Sequence, residues 1–429
     1  MTGKVWSTIV PFNGQKKPAH GPREAIMNRR AALRLLASAA ISAHMLPLRS
    51  AFADTIGVDP ANKTVTIGGF TPITGPVPFY AILTHAAEAF FRAANEAGGI
   101  KGWKIRYVTM DDGYDPARSV AVTRRLVEDE KIFALVASVG TATNVAVIPY
   151  AQEAGLGMFG PIGGASVFFS QPNVFPLLPD YGWSAASNAE YALKDLKLEK
   201  IALLWENDEL GRSAKRGFEL YMDAQKLAPA ESVPFEVKTT DFTPHIRRVA
   251  NSGAQAAILF GSNANLAGAL KAADRQALKL NWFAPFFTAD PSTYKLAGKL
   301  LDGVYFSSWL LPVTSEDPAV KAYRDAITKY YPDDPVGVFG LNGWSNAALF
   351  AKVFEALIDS GKPITRENLL AAGNTLTDAS VGGARKVTFT ANDHRGTRQE
   401  AILQARDGAF TMVRDFRPYP AVAFDAKPA

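Results

Sequence analysis

The sequence predicts an α/β protein made of two parallel-sheet units, and three observations carry that prediction. The chain has 429 residues, more than one ordinary hydrophobic core accommodates. From Lys63 onward, short apolar runs alternate with longer amphipathic ones. The alternation breaks over the Pro-rich stretch Pro172–Pro179 and then restarts. A repeated strand–helix rhythm implies parallel strands with helices on both faces.

In the first unit, Val65–Phe70 (VTIGGF) reads as a strand. The helix that follows, Phe79–Ala97, sets Phe79, Leu83, Ala86, Phe90 and Ala94 on one face and stops at Gly98-Gly99. Ile105–Met110, Phe133–Ala137 and Leu156–Phe159 are further strands, with helices at Pro116–Glu128 and Thr143–Ala154. In the second unit the strands are Ile201–Trp205, Val233–Val237, Ala256–Phe260, Trp282–Phe286 and Val304–Phe306. Helices are expected at Leu210–Gln225, Thr243–Asn251 and Leu266–Ala277, then at Pro318–Tyr330 and Val338–Asp359. The tail Arg385–Val413 alternates short β-forming runs with turn residues and reads as β-rich.

The first 53 residues read as a leader rather than as part of the fold. Met27–Ala53 runs from a basic pair, Arg29-Arg30, through an apolar stretch, Leu35–Leu46, to the small-residue cleavage pattern Ala51-Phe52-Ala53. This is the order of an export signal, of either the Sec or the twin-arginine type, although Ala32 stands where a twin-arginine signal prefers a bulky apolar residue. Met27 is a second candidate start. The full chain carries 46 Lys+Arg against 41 Asp+Glu; the leader holds eight of the former and one of the latter. Without it, 38 basic and 40 acidic residues remain, a net charge of −2. The basic balance therefore belongs to the leader and argues against nucleic-acid binding.

There is no cysteine, which excludes disulfides, thiolate metal sites, cysteine nucleophiles and a lipidated cysteine anchor. No stretch after the leader is long and uninterrupted enough to span a bilayer. A soluble protein in the periplasm of a two-membrane bacterium is the expectation.

Catalytic signatures are scarce: no G-x-S-x-G elbow, no Walker loop, no H-E-x-x-H. His85, His245 and His394 stand isolated from one another, and Asp111-Asp112 precede a turn, where fixing a loop is the plainer role. No catalytic residue, metal site or cofactor is expected. Gly160–Ser166 (GPIGGAS) matches neither nucleotide fingerprint but permits close approach of a ligand to backbone. Gly140–Asn144 (GTATN) is more informative. It joins a strand to a helix start, where free N–H groups and the hydroxyls of Thr141 and Thr143 suit a carboxylate, at the carboxyl end of a parallel strand.

These landmarks together resemble the leucine/isoleucine/valine-binding proteins, the periplasmic receptors of branched-chain amino acid ABC transporters. The resemblance spans Lys63 to Phe416 and rests on VTIGGFTPITGP, ANEAGGIKG (Ala94–Gly102), DDGYDPARSVAVTRRLV (Asp111–Val127), TTDFTPHIRRV (Thr239–Val249) and AAILFGSNA (Ala256–Ala264). It implies the type I periplasmic binding protein fold, two Rossmann-like lobes with parallel sheets joined by a three-stranded hinge, and no catalysis. The implied lobes are residues 54–180 with 308–382, and residues 181–307 with 383–429. The hinge strands would cross near Pro179–Tyr181, Ser307–Leu311 and Ser380–Lys386.

The resemblance also assigns a ligand site. Tyr80 would roof the ligand, and Thr141, with Ala142 and Thr143 beside it, would hold a carboxylate. A Thr or Ser that commonly holds the α-amino group is replaced here by Gly163-Gly164. A tyrosine of the second lobe falls at Leu210, another aromatic near Asn263-Ala264, and the ammonium-neutralising Glu at Phe286. Trp183, Phe286 and Phe287 would then face an apolar or flat ligand. A buried ammonium needs an anionic or strongly polar partner, so these departures predict a small apolar or aromatic carboxylate delivered to ABC transporter permease subunits. An amino-acid, urea or short-amide receptor is the alternative within the class. An exported α/β hydrolase and a ligand sensor are the alternatives outside it.

Overall fold

The computed structural model describes residues 56–421; the leader reading lies outside them. The first sheet is built from β1 (Val58–Asp59), β2 (Thr64–Thr71), β3 (Lys104–Asp111), β4 (Leu135–Val136), β5 (Met158–Phe159) and β6 (Val174–Phe175). Its order is β3-β2-β4-β5-β6, all parallel, with β1 antiparallel on β2. The long β2–β3 ladder runs in register from Thr64↔Lys104 to Thr71↔Asp111. The helices of this half are α1 (Ala81–Glu96), α2 (Pro116–Glu128) and α3 (Thr141–Glu153). Asp115 caps α2 by accepting from the Arg118 N–H at 2.9 Å, and Pro116 occupies its first turn, where a missing N–H costs nothing.

The chain then enters α4 (Tyr181–Glu190) and the second sheet: β7 (Ile201–Glu206), α5 (Glu209–Ala224), β8 (Glu231–Phe235), α6 (Thr243–Asn251), β9 (Ala256–Phe260), α7 (Asn263–Arg275), β10 (Asn281–Pro285), α8 (Pro291–Ala297) and β11 (Tyr305–Ser308). It returns to the first half with α9 (Pro318–Tyr330), the 22-residue α10 (Val338–Asp359) and α11 (Arg366–Gly373). A hairpin, β12 (Ala379–Val381) and β13 (Ala384–Val387), is followed by β14 (Gln399–Arg406) and β15 (Ala409–Pro418), which pair antiparallel and close the second sheet in the order β15-β14-β11-β10-β9-β7-β8. Helix α10 is buried along most of its length, which explains its almost unbroken apolar sequence.

The strand–helix rhythm read from the sequence is largely the observed one, but α4, α8 and α11 are additional to it, and four further local differences stand out. The Phe133–Ala137 run keeps only Leu135–Val136 as strand, because Ala137 takes a positive φ of 53°. The Pro-rich break contains β6, the outer strand of the first sheet. Strand β10 ends at Pro285, and Phe286–Thr288 turns as a 3₁₀ helix, so Phe286 belongs to a turn rather than to a strand. Ser380–Lys386, expected as a single hinge strand, lies in the β12–β13 hairpin, which is tied to the Ser307–Leu311 segment by the Leu310↔Ala384 bridge and the Leu311 N–H to Gly383 carbonyl bond of 3.0 Å. Near the Pro179–Tyr181 segment, the Thr397 hydroxyl donates to the Leu177 carbonyl at 2.8 Å.

Candidate ligand-binding cleft

At the carboxyl edge of β4 the chain turns sharply into α3. Gly140, at φ 107°, is the residue before the helix; a Cβ there would meet the Thr143 hydroxyl and the Tyr114 ring, so both conformation and space require glycine. Thr143 and Asn144 secure the turn from within. The Thr143 hydroxyl donates to the Val139 carbonyl at 2.7 Å, and the Asn144 amide donates to Ser138 and Gly140 at 2.9 and 2.7 Å. No side chain caps the helix. Its first-turn N–H groups therefore stay without a side-chain acceptor, with the Thr141 hydroxyl among them, an arrangement that favours an anion.

Around this helix start lies a narrow cavity of about 40 Å³, sized for water rather than for an organic solute. One wall comes from the first half of the fold: Tyr80, Tyr114, Gly140, Thr141, Phe339 and Asn342 among others. The facing wall is Tyr181, Leu210, Phe286 and Phe287. The rings interlock within each wall. Tyr80 meets Tyr114 edge-on at 5.9 Å and lies 5.4 Å from Phe339. Phe287 meets Tyr181 at 5.8 Å and Phe286 at 5.5 Å, while Phe286 also abuts Trp309 at 5.6 Å. Such edge-on pairs hold their geometry beyond simple burial. The walls are joined by Asp290, which caps α8 yet also accepts from the Phe339 N–H at 3.4 Å, at the start of α10 on the opposite side.

Of the residues singled out in the sequence, Tyr80, Gly140, Thr141, Leu210, Phe286 and Phe287 line this cavity together. Thr143 sits behind, bonded to Val139, and Ala142 is exposed. Gly163 and Gly164 pack under the site. A Cβ on Gly163 would lie 2.8 Å from Cα of Thr141, and one on Gly164 would lie 2.8 Å from three atoms of the Tyr181 ring. Trp183 points elsewhere: it stacks on Tyr419 at 5.0 Å and 7°, with the Arg395 guanidinium 5.5 Å from its ring centre. Asn263 donates to the Ser292 hydroxyl at 2.8 Å and is not among the lining residues.

Sequence reasoning missed Tyr114, Tyr181, Phe339 and Asn342. Tyr114 lies in the DDGYDPA turn at a positive φ of 60°, and its N–H donates to Asp112 at 3.0 Å. Only that unusual tyrosine inside a tight turn was a signal. Tyr181 and Phe339 reach the cavity through packing of elements distant in sequence, and nothing local marks them.

The electrostatics add a feature absent from the sequence reading. Glu206, at the end of β7, is only 7% exposed. Burial holds its carboxyl well above the usual range, and Asp208, within hydrogen-bonding reach, adds to the effect. Asp208 itself caps α5 by accepting from the Gly211 N–H at 3.1 Å. Burial raises the phenols of Tyr80, Tyr114 and Tyr181, and the fields of Glu206 and Asp208 push them further up. All three phenols therefore stay protonated and can donate as well as accept.

Among the described residues no cluster of three or more His, Cys, Asp or Glu is placed to hold a metal, and no helix is long and apolar enough to cross a membrane. The profile of the periplasmic binding protein family matches residues 64–409. A curated relative, the Leu/Ile/Val-binding protein homolog 3 of Brucella melitensis, is 26% identical over 360 residues, covering 79% of this chain and 94% of its own. Among solved structures, a fatty acid ABC transporter substrate-binding protein from Thermomonospora curvata superposes with a TM-score of 0.77 at 21% identity, covering 85% of this chain and 94% of its own. A branched-chain amino acid ABC transporter protein from Thermus thermophilus with bound valine does so with a TM-score of 0.75 at 22% identity, covering 83% and 96%.

Proposed function

Because this chain belongs to the periplasmic binding proteins of the Leu/Ile/Val-binding type, the non-catalytic solute receptors of ABC transporters, we propose that it captures an apolar amino acid in its inter-lobe cleft and presents it to permease subunits. The observation that carries this reading is the uncapped start of α3, with Thr141 facing a wall of Tyr181, Leu210, Phe286 and Phe287. The helix start and the Thr141 hydroxyl take the carboxylate, and the aromatic and aliphatic wall takes the side chain. The polar groups among the lining residues that could meet an ammonium are the phenols of Tyr80, Tyr114 and Tyr181 and the side-chain amide of Asn342. The small cavity implies that a solute enters an opened cleft and that the lobes close around it. Curated relatives named for leucine, isoleucine and valine support the amino-acid ligand.

A second reading, a receptor for a small apolar or aromatic acid without an ammonium, rests on one observation: no carboxylate is among the lining residues. The fatty acid protein of Thermomonospora curvata shows that this fold is compatible with such a ligand. Export by a signal within residues 1–53, of Sec or twin-arginine type, is part of the same proposal.

Calorimetric titration with two matched pairs separates the readings: leucine against 4-methylpentanoate, and phenylalanine against 3-phenylpropanoate. The expected result is that the amino acid of at least one pair binds about tenfold or more tightly than its deaminated partner. Equal or tighter binding of the deaminated acids in both pairs would overturn the amino-acid reading in favour of the second.

A further inference from the structure

Phe79 stands just before α1 in the 3₁₀ turn Pro78–Tyr80, and the fold leaves its large apolar side chain 39% exposed. It is not among the residues that line the cavity, yet its ring rests on two that are: Tyr80, edge-on at 4.6 Å, and Phe339, edge-on at 5.7 Å. Tyr80 is thereby held by three rings. Two of them, Phe339 at 5.4 Å and Tyr114 at 5.9 Å, border the cavity themselves, and Phe79 closes the set from the solvent side. All four rings belong to the first half of the fold, so their packing does not depend on the facing wall. The backbone that carries Tyr80 is clamped only at its base. Asp111 accepts from the Ile73 and Thr74 N–H groups at 2.9 and 3.1 Å and from the Thr74 hydroxyl at 2.6 Å, and from the Gly113 N–H at 3.0 Å in the turn that carries Tyr114. Above that clamp come Gly75, at a φ of 92°, and the prolines Pro76 and Pro78, which have no N–H to give. The ring contacts of Phe79 are what fix the roof from outside.

We propose that Phe79 is a positioning residue that sets the Tyr80 ring over the cleft before a solute arrives, and so raises affinity without touching the solute. This rests on the cleft being the solute site and holds for either of the two solute classes considered above. A tyrosine at the edge of an open cleft has several rotamers, and a solute that needs one of them loses affinity in proportion to the time the ring spends in the others. Edge-on contacts with a phenyl ring favour one orientation, which greasy bulk alone does not. An exposed phenylalanine here is therefore more than a surface residue left over from packing: its ring edge restricts Tyr80 in the open form as well as in the closed one.

Calorimetric titration of the chain lacking residues 1–53 tests this, with leucine and 4-methylpentanoate as probes and whichever binds wild type more tightly carried through the variants. Phe79→Ala should weaken that probe by about 3- to 10-fold. Phe79→Tyr keeps the ring and should bind as wild type does, whereas Phe79→Leu, apolar but without a ring edge, should lose affinity as Phe79→Ala does. Ile73→Ala removes a side chain of the same loop that is 52% exposed, and should change nothing. In a Tyr80→Leu background, Phe79→Ala should cost less than about twofold, because the residue through which it acts is gone. If Phe79→Leu binds as tightly as Phe79→Tyr, or if Phe79→Ala costs the same with and without Tyr80, Phe79 supplies bulk or stability only and the assignment falls while the cleft reading stands. An unchanged affinity in Phe79→Ala, or an equal loss in Ile73→Ala, overturns it too. If wild type binds neither probe, the cleft reading fails for these solutes and the assignment with it.

Discussion

The Tyr181 ring occupies the space in which a side chain at Gly164 would stand, three of its atoms lying 2.8 Å from the position of a Cβ. A threonine or serine at 164 and a tyrosine at 181 are therefore mutually exclusive in this geometry. Gly164→Thr, which restores a hydroxyl to the turn, should not improve amino-acid binding. It should instead lower stability by about 1–3 kcal/mol, the usual range for overpacking a well-filled site. Urea denaturation measures the first effect and calorimetry the second; a stable Gly164→Thr variant with tighter leucine binding would contradict the arrangement.

Asp290 accepts from the N–H of Phe339 across the cleft, at the start of the 22-residue α10. If the lobes open and close as proposed above, its side chain meets the helix N-terminus only in the closed form. Removing such a contact costs about 1 kcal/mol. Asp290→Ala should shift the closed-to-open balance about fivefold toward open and weaken leucine by a similar factor. Small-angle scattering should show a larger radius of gyration for the variant, and an unchanged radius together with an unchanged affinity would rule out the clasp.

Trp183 stacks on Tyr419, outside the cavity lining. The substitution Trp183→Phe should therefore leave the leucine affinity within about twofold, whereas Phe286→Leu should lower it more. The same titrations decide between them, and a larger loss from Trp183→Phe than from Phe286→Leu would mean that the open cleft is lined differently.

Glu400, on β14, is buried, with the Ser184 hydroxyl donating to it at 2.5 Å, and burial pushes its carboxyl up to about 7. Arg414 on β15 partly opposes the shift. A carboxyl raised in the folded state contributes stability that is present at low pH and is lost as pH rises from the ordinary carboxylate range through about 7. Asp180, raised by burial to about 6, acts in the same direction. Glu400→Gln should therefore flatten the stability profile between pH 5 and pH 8 and make the protein more stable at the upper end, by on the order of 3 kcal/mol. Urea midpoints at the two pH values measure it; an unchanged slope would show that Glu400 stays ionised throughout.

The sequence alone determined most of the elements and their order, though not β6, α4, α8 or α11. Pro116–Glu128, Thr243–Asn251, Ala256–Phe260, Pro318–Tyr330 and Val338–Asp359 carry their bounds in caps, prolines and hydrophobic period, and the structure reproduces these limits. The anion-favouring helix start at Gly140–Thr141 was legible for the same reason: a strand, a glycine and two hydroxyls are local in the chain. The chemistry of the opposite wall was not. A position-by-position reading found glycine at 164 and phenylalanine at 286 and took the ammonium partners to be lost. Only the tertiary structure seats the Tyr181 ring over Gly164 and brings Tyr80, Tyr114 and Tyr181 to one cavity. A periodic pattern reports what each segment buries. It does not report which side chain from a distant segment fills the space that a glycine leaves open, because that is decided by how helices and sheets pack against one another.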